Sequence, residues 1–139
     1  SIVKNIVFLL LQFITRNIQA NTMFGIRIDS GRSVYHIINY IQQYIYERQA
    51  LKLEVMALYF NKSPDHLTRI FKKETGRTIK EYIIDYKIDL IRTRLKFSDL
   101  SVSEIAYEMN FTDESHLNKL FKSKFGMSVA EFKKNLKIH

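Results

Sequence analysis

Apolar residues recur along this chain at intervals of three and four rather than two, so the elements it predicts are helices. Val34, Ile37, Ile38, Ile41, Tyr44 and Ile45 trace one stripe. They predict a core-facing helix that opens near Ser33 as N-cap and ends near Gln49. A short helix follows over 53–60, and Ser63 with Pro64 at the first helical position opens another. A long helix is expected over 79–97, and one from Ser101 through Met109. Asp113 starts the next, which stops at Gly126, and Ser128 caps the last, to about Leu136. Upstream, residues 2–18 read as a helix with apolar positions at Val3, Val7, Leu10, Leu11 and Ile14 and more beside them. A helix apolar on several faces needs a partner on each. The polar run Gln19-Ala20-Asn21-Thr22 and the loose segment after it place a linker around 19–33. Nothing reads as strand. With one proline and four glycines to break regular structure, the fold class expected is all-α.

Within this series lies a repeat. His66-Leu67-Thr68-Arg69-Ile70-Phe71-Lys72-Lys73-Glu74-Thr75-Gly76 aligns with His116-Leu117-Asn118-Lys119-Leu120-Phe121-Lys122-Ser123-Lys124-Phe125-Gly126 at a constant offset of 50. The register continues through Thr78 and Ser128, Glu81 and Glu131, Tyr82 and Phe132. Two such copies share a structure. Each is a short helix, a tight turn and a second helix. The first helix carries a small residue, Ala57 or Ala106, where two helices cross closely. Ala57 precedes Leu67 by ten positions and Ala106 precedes Leu117 by eleven, so the second turn is one residue longer. Asn110 sits in that turn, where a left-handed backbone is expected and Asn tolerates it better than most residues. Helix, short turn, helix, with a small residue at the crossing, is the signature of a helix-turn-helix.

On each second helix one face is kept for the core, by Leu67, Ile70 and Phe71 and by Leu117, Leu120 and Phe121. The opposite face shows Asp65, Thr68, Arg69 and Lys72 in one copy, and Glu114, Ser115, Asn118, Lys119 and Lys122 in the other. Polar and basic side chains so placed can reach base edges and phosphates in a major groove. The 19 residues of 79–97 would span about 28 Å at about 1.5 Å per residue. That approaches the helical repeat of B-DNA, about 34 Å. A strut of this length could hold both second helices in successive major-groove segments. The organisation expected is an N-terminal helix and linker (1–33), a first unit (34–78), a linking helix (79–97) and a second unit (98–139), with recognition helices at 64–75 and 113–125.

Composition narrows the chemistry. A formal charge of +8 favours polyanions, nucleic acid first. No cysteine is present, which excludes disulfides, thiolate metal sites and cysteine nucleophiles and fits a reducing cytoplasm. The four histidines have no metal-ligand spacing, and no cofactor is implied. The run Ile6-Val7-Phe8-Leu9-Leu10-Leu11 is followed by no cleavage site of small residues. The uncharged stretch 5–15 is too short to span a bilayer, so no membrane partner is expected. The chain opens on Ser1 and not Met, which points to a fragment of a longer protein or a processed start.

These residues resemble the C-terminal domain of the AraC/XylS family of bacterial transcription regulators. The resemblance covers about 37–134. It rests on Ser63-Pro64-x-His66-Leu67-x-Arg69-x-Phe71-Lys72-Lys73-Glu74-Thr75-Gly76, on Ile105-Ala106-x4-Phe111-Thr112-Asp113-x-Ser115, and on Phe121-Lys122-x2-Phe125-Gly126. It implies a seven-helix domain, sequence-specific binding to double-stranded DNA and, in activators, contacts to RNA polymerase. The family's base-reading positions fall on Asp65, Thr68 and Arg69, and on Glu114, Ser115, Asn118 and Lys119. Backbone-contacting positions fall on Ser63, Lys72, Lys73, Arg77 and Lys122. The sequence departs from the pattern at Asn110 (usually glycine), Leu117 (usually aromatic), Val129 (usually proline) and Ile91 (usually small). Lys119 stands where arginine is common, and lysine lacks the planar fork that reads guanine bidentately. Arg69 is therefore expected to carry more specificity than Lys119. In the family an effector or dimerisation domain usually precedes this part. Residues 2–18 look like the tail of such a domain, packing on it or on a second subunit as a homodimer. Packing on this domain's own first helix is the other reading.

Two rivals stand beside the regulator reading. Asp85 and Asp89 lie four apart on one helix face, but beside Lys87 and Arg92 they read as ordinary surface. No phosphate loop, metal triad or nucleophile–base set accompanies them, so no enzyme is expected. A protein-binding helical module of the anti-activator type, without DNA contact, is the alternative. The retained Arg69, Lys72, Lys73, Lys119 and Lys122 argue against it.

Overall fold

The computed structural model describes residues 2–4, 6, 7, 10 and 30–137. Most of the helix expected over 2–18, and the linker from 19 to 29, lie outside the described residues. Those described within it, 2–4, 6, 7 and 10, are helical. From residue 30 onward the described chain forms α1 (Ser30–Gln43), α2 (Leu53–Tyr59), α3 (Pro64–Thr75), α4 (Ile79–Phe97), α5 (Val102–Glu108), α6 (Glu114–Phe125) and α7 (Val129–Leu136). No strand occurs among the described residues.

Side chains accept the first free backbone N–H groups at most of these helix starts, which is why the starts fall where the sequence placed them. Ser63 accepts from the His66 N–H at 3.2 Å, Ser101 from Glu104 at 3.1 Å, Asp113 from His116 at 2.7 Å and Ser128 from Glu131 at 3.1 Å. Thr78 and Glu81 exchange bonds in a full capping box at the head of α4. Gly76 and Gly126, at φ 75° and 74°, end α3 and α6 in the left-handed region that glycine adopts without strain.

The boundaries of α1 differ from expectation. The helix opens at Ser30, so Ser33 lies within it and is not its N-cap, and residues 30–33 are helix rather than linker. Gly31 disfavours helix by only about 1 kcal/mol and there is no proline to stop it. At the other end α1 stops at Gln43, six residues before Gln49. There the Tyr40 hydroxyl donates to the Ala50 carbonyl at 2.9 Å, and the Glu47 N–H closes a turn on the Tyr44 carbonyl at 2.9 Å. The chain bends back so that Leu51 and Leu53 cover the first core.

Two cores flank α4. The first gathers Ile37, Ile41, Ile45, Met56, Leu67, Phe71 and Ile79. The second gathers Ile88, Ile91, Leu95, Ile105, Met109, Leu117, Phe121 and Val129. The repeat persists in three dimensions: Phe71 meets Tyr82 edge-on at 5.6 Å, and Phe121 meets Phe132 edge-on at 5.5 Å. Leu117, Val129 and Ile91, three departures from the family pattern, are all buried in the second core, so they repack it with aliphatic volume.

Candidate nucleic-acid interface

Both turns close by the same mechanism. The Lys62 N–H donates to the Ala57 carbonyl at 2.9 Å, and the Phe111 N–H donates to the Ala106 carbonyl at 2.9 Å. Asn61 and Asn110 sit just before these donors at φ 53° and 61°. Each short helix thus ends in a Schellman motif with Asn in the left-handed position. The sequence singled out Asn110 and missed Asn61, although the two share the 49-residue offset of Ala57 and Ala106. The extra residue of the second turn is thereby located. Phe111 corresponds to Lys62 and the cap Asp113 to Ser63, so Thr112 is the insertion. Ala57 and Ala106 are buried, as close helix crossing requires.

The turns aim α3 and α6. Leu67 and Phe71, and Leu117 and Phe121, anchor these helices in the two cores. On the outward face of α3, Asp65, Arg69, Lys72 and Lys73 are exposed and Thr68 is half-buried. On α6, Glu114, Ser115, Lys119 and Lys122 are exposed and Asn118 is half-buried. Arg69, Lys72, Lys73, Lys119 and Lys122 make no ion pair among the described residues.

Other anticipated contact residues already have partners within the chain. The Asn118 carbonyl oxygen accepts from the Val129 N–H at 3.2 Å, tying α6 to the head of α7. Glu114 accepts from the Ser103 hydroxyl, bridging α6 to α5. Ser63 commits one oxygen lone pair to the helix cap, and its hydroxyl proton stays available as a donor. Arg77 pairs with Asp85. Asp85 also pairs with Lys124 at 3.1 Å, and Asp89 pairs with Lys124 at 3.0 Å. Burial works against the Asp85 charge, yet Lys124 and Arg77 outweigh it and hold the carboxyl below its usual 3.8. The acidic pair of α4 is therefore a brace between α4 and α6, not a reactive dyad.

One positive feature was not legible in the sequence. A groove of about 460 Å³ beside α3 is lined by Thr68, Ile79 and Ile83 together with Arg48, Lys80 and Lys87. Burial, and then the neighbouring Arg48, push the Lys87 ammonium below its usual range, and its Nζ stands 5.9 Å from the Phe111 ring. The sequence does not display this grouping, because Arg48 lies in the turn after α1 while Lys80 and Lys87 lie two turns apart on α4.

Comparison with known proteins agrees with this architecture. A helix-turn-helix domain family model, HTH_18, matches residues 56–135, that is 80 of 139. The uncharacterized HTH-type transcriptional regulator YidL of Escherichia coli is 42% identical over 73 residues, 52% of this chain and 25% of that protein. The Msm operon regulatory protein of Streptococcus mutans is 31% identical over 110 residues, 78% of this chain and 40% of that protein. The chain thus spans a quarter to two fifths of the length of these relatives. In fold it is similar to the DNA-binding domain of AdpA, a global transcriptional factor solved in complex with a target DNA. That likeness has a TM-score of 0.69 at 21% identity over 76% of this chain and 93% of that one. With the family model matching more than half of its residues, and its two helix-turn-helix units built on one plan, this chain belongs to the AraC/XylS-type helix-turn-helix family of sequence-specific DNA-binding transcription regulators.

Proposed function

We propose that this chain binds duplex DNA by laying α3 and α6 in adjacent major-groove segments, with α4 setting their separation. The observation that carries the reading is the matched pair of exposed basic faces, Arg69, Lys72 and Lys73 on α3 and Lys119 and Lys122 on α6. They stand on equivalent helices joined through a 19-residue strut. Base contact is assigned to Asp65, Thr68 and Arg69 and to Ser115 and Lys119, with Glu114 and Asn118 contributing through whatever their internal bonds leave free. Phosphate contact is assigned to Ser63, Lys72, Lys73 and Lys122, and to Arg77 once it leaves Asp85. Arg48, Lys80 and Lys87 extend that positive surface between the units.

The family is one of regulators and not of enzymes. No described helix is long and apolar enough to cross a membrane; work on DNA in the cytoplasm is proposed from the family alone. RNA polymerase is the proposed protein partner. Leu58 and Tyr107, equivalent positions of α2 and α5, are 82% and 86% exposed and offer it apolar surface. Dimerisation through residues 1–33 or an upstream domain is consistent with relatives in which the matched segment is only 25% and 40% of the length.

Selection of bound sites from a random DNA pool tests the reading. The expected product is a motif of two blocks about one helical turn apart, bound with an affinity that falls steeply with salt as counterions are released. No enriched motif together with a flat salt dependence would favour the protein-binding module instead.

A further inference from the structure

The seam between the two units holds a polar cluster that neither a core nor a DNA-facing helix requires. The Arg94 guanidinium, near the end of α4, donates to Glu108 Oε2 of α5 at 2.6 Å and to the Tyr46 hydroxyl at 2.9 Å. Its planar head also lies over the Tyr46 ring at 5.5 Å. Tyr46 belongs to the first unit, in the turn after α1, and packs against both cores. Its carbonyl accepts from the Asn110 side chain at 2.9 Å. Asn110 is also the left-handed residue that closes the turn aiming α6. One residue of the first unit is therefore gripped at its hydroxyl and its ring by Arg94 of the linking helix, and at its carbonyl by Asn110 of the second unit.

The physical consequence follows from where these bonds attach. A helix fixes rise along its axis far better than it fixes bend, and long helices curve gently. A strut alone would let the two recognition helices wander relative to each other. A second, lateral tie between the turn after α1 and the turn before α6 removes that freedom. The Arg94 contacts are charge-assisted and half-buried, the kind that hold geometry rather than merely decorate a surface, and the neutral Asn110 bond adds to them at the exposed edge. Burial opposes the charge on Arg94, and the bonds to Glu108 and Tyr46 more than offset it, so its pKa sits above the usual value.

We propose that Arg94, Tyr46, Glu108 and Asn110 form a latch that sets the mutual orientation of α3 and α6, and with it the base-pair spacing the chain accepts between its two sequence blocks. These are positioning residues: none is assigned to touch DNA. The inference rests on the two-block reading above, and it adds that spacing specificity resides in the seam and not in the reading faces.

The test uses the full chain and a panel of duplexes carrying the selected blocks at the native spacing and with one or two base pairs inserted or removed. Tyr46→Phe removes only a hydroxyl, and Asn110→Gly keeps the left-handed backbone while deleting the amide; the double variant retains both cores. Wild type should prefer the native spacing by about tenfold or more, and the double variant should lose about threefold to tenfold of that preference, in the range of coupling between contacting groups. Arg94→Ala should behave the same way. Affinity for a single isolated block, the salt slope and the base preference within each block should stay as in wild type, which a loss of folding would not allow. A double variant that discriminates spacing as wild type does overturns the latch and leaves two-block reading intact. A wild type that shows no spacing preference overturns both.

Discussion

Arg69 and Lys72 are neighbours on one helix face, one turn apart, yet their chemistry assigns them different work. Arginine presents a rigid fork of donors that matches a guanine edge, and lysine is a point charge suited to a phosphate. Arg69→Ala should cost about 1–3 kcal/mol on the specific site and relax preference at one base position. Competition binding against single-base variants of the selected site measures this, and unchanged discrimination would remove Arg69 from base readout. Lys119→Ala should cost less, because the second copy lacks the fork. Lys72→Ala should weaken all sequences alike and lower the salt slope by about one; an affinity titration across salt checks it, and an unaltered slope would mean no phosphate contact there. At this scale the exposed polar faces of α3 and α6 were legible because exposure follows helical period. The engagements of Asn118 with Val129, of Glu114 with Ser103 and of Arg77 with Asp85 were not, since each joins residues from elements whose packing angle no periodicity reveals.

Among the elements, α4 matters most. Inserting two residues near its middle would turn one recognition helix by about 200° relative to the other at 3.6 residues per turn. Specific affinity should then fall to that of a single unit, measured by gel shift on the selected site; undiminished affinity would exclude simultaneous reading. The same helix carries a pH-dependent brace. The folded-state pKa of Asp85 lies below its unfolded value, so its contribution to stability is fully present above about pH 4. It is lost as pH falls through the depressed folded value. Thermal unfolding from about pH 5 to pH 2 should show wild type losing more than Asp85→Asn over that acid window, and parallel profiles would mean that Lys124 and Arg77 do not stabilise the ionised carboxylate. Most element boundaries were readable because Ser63, Thr78, Ser101, Asp113 and Ser128 cap their own helices, a local chemistry that sequence displays directly. The ends of α1 were misjudged for the opposite reason. Its N-terminus has no strong stop signal, and its C-terminus is set by the long-range bond from Tyr40 to Ala50.

For the molecule as a whole, duplication converts one motif into a ruler. Two cores, each built by one copy of the repeat, share α4 as a common wall, and Tyr46 and Leu90 pack against both. A single polypeptide can then read two blocks without the twofold symmetry that dimeric regulators use. The offset of 50 announced the two units; the seam that joins them is visible only in three dimensions, because Tyr46, Arg94 and Asn110 lie 48 and 64 positions apart along the chain. Methylation interference at guanine N7 across a selected site measures simultaneous reading by α3 and α6 most directly. Two clusters of sensitive guanines are expected, centred about 10 base pairs apart on one face of the duplex, one abolished in Arg69→Ala and the other weakened in Lys119→Ala. A single cluster, or two clusters both governed by Arg69, would contradict it.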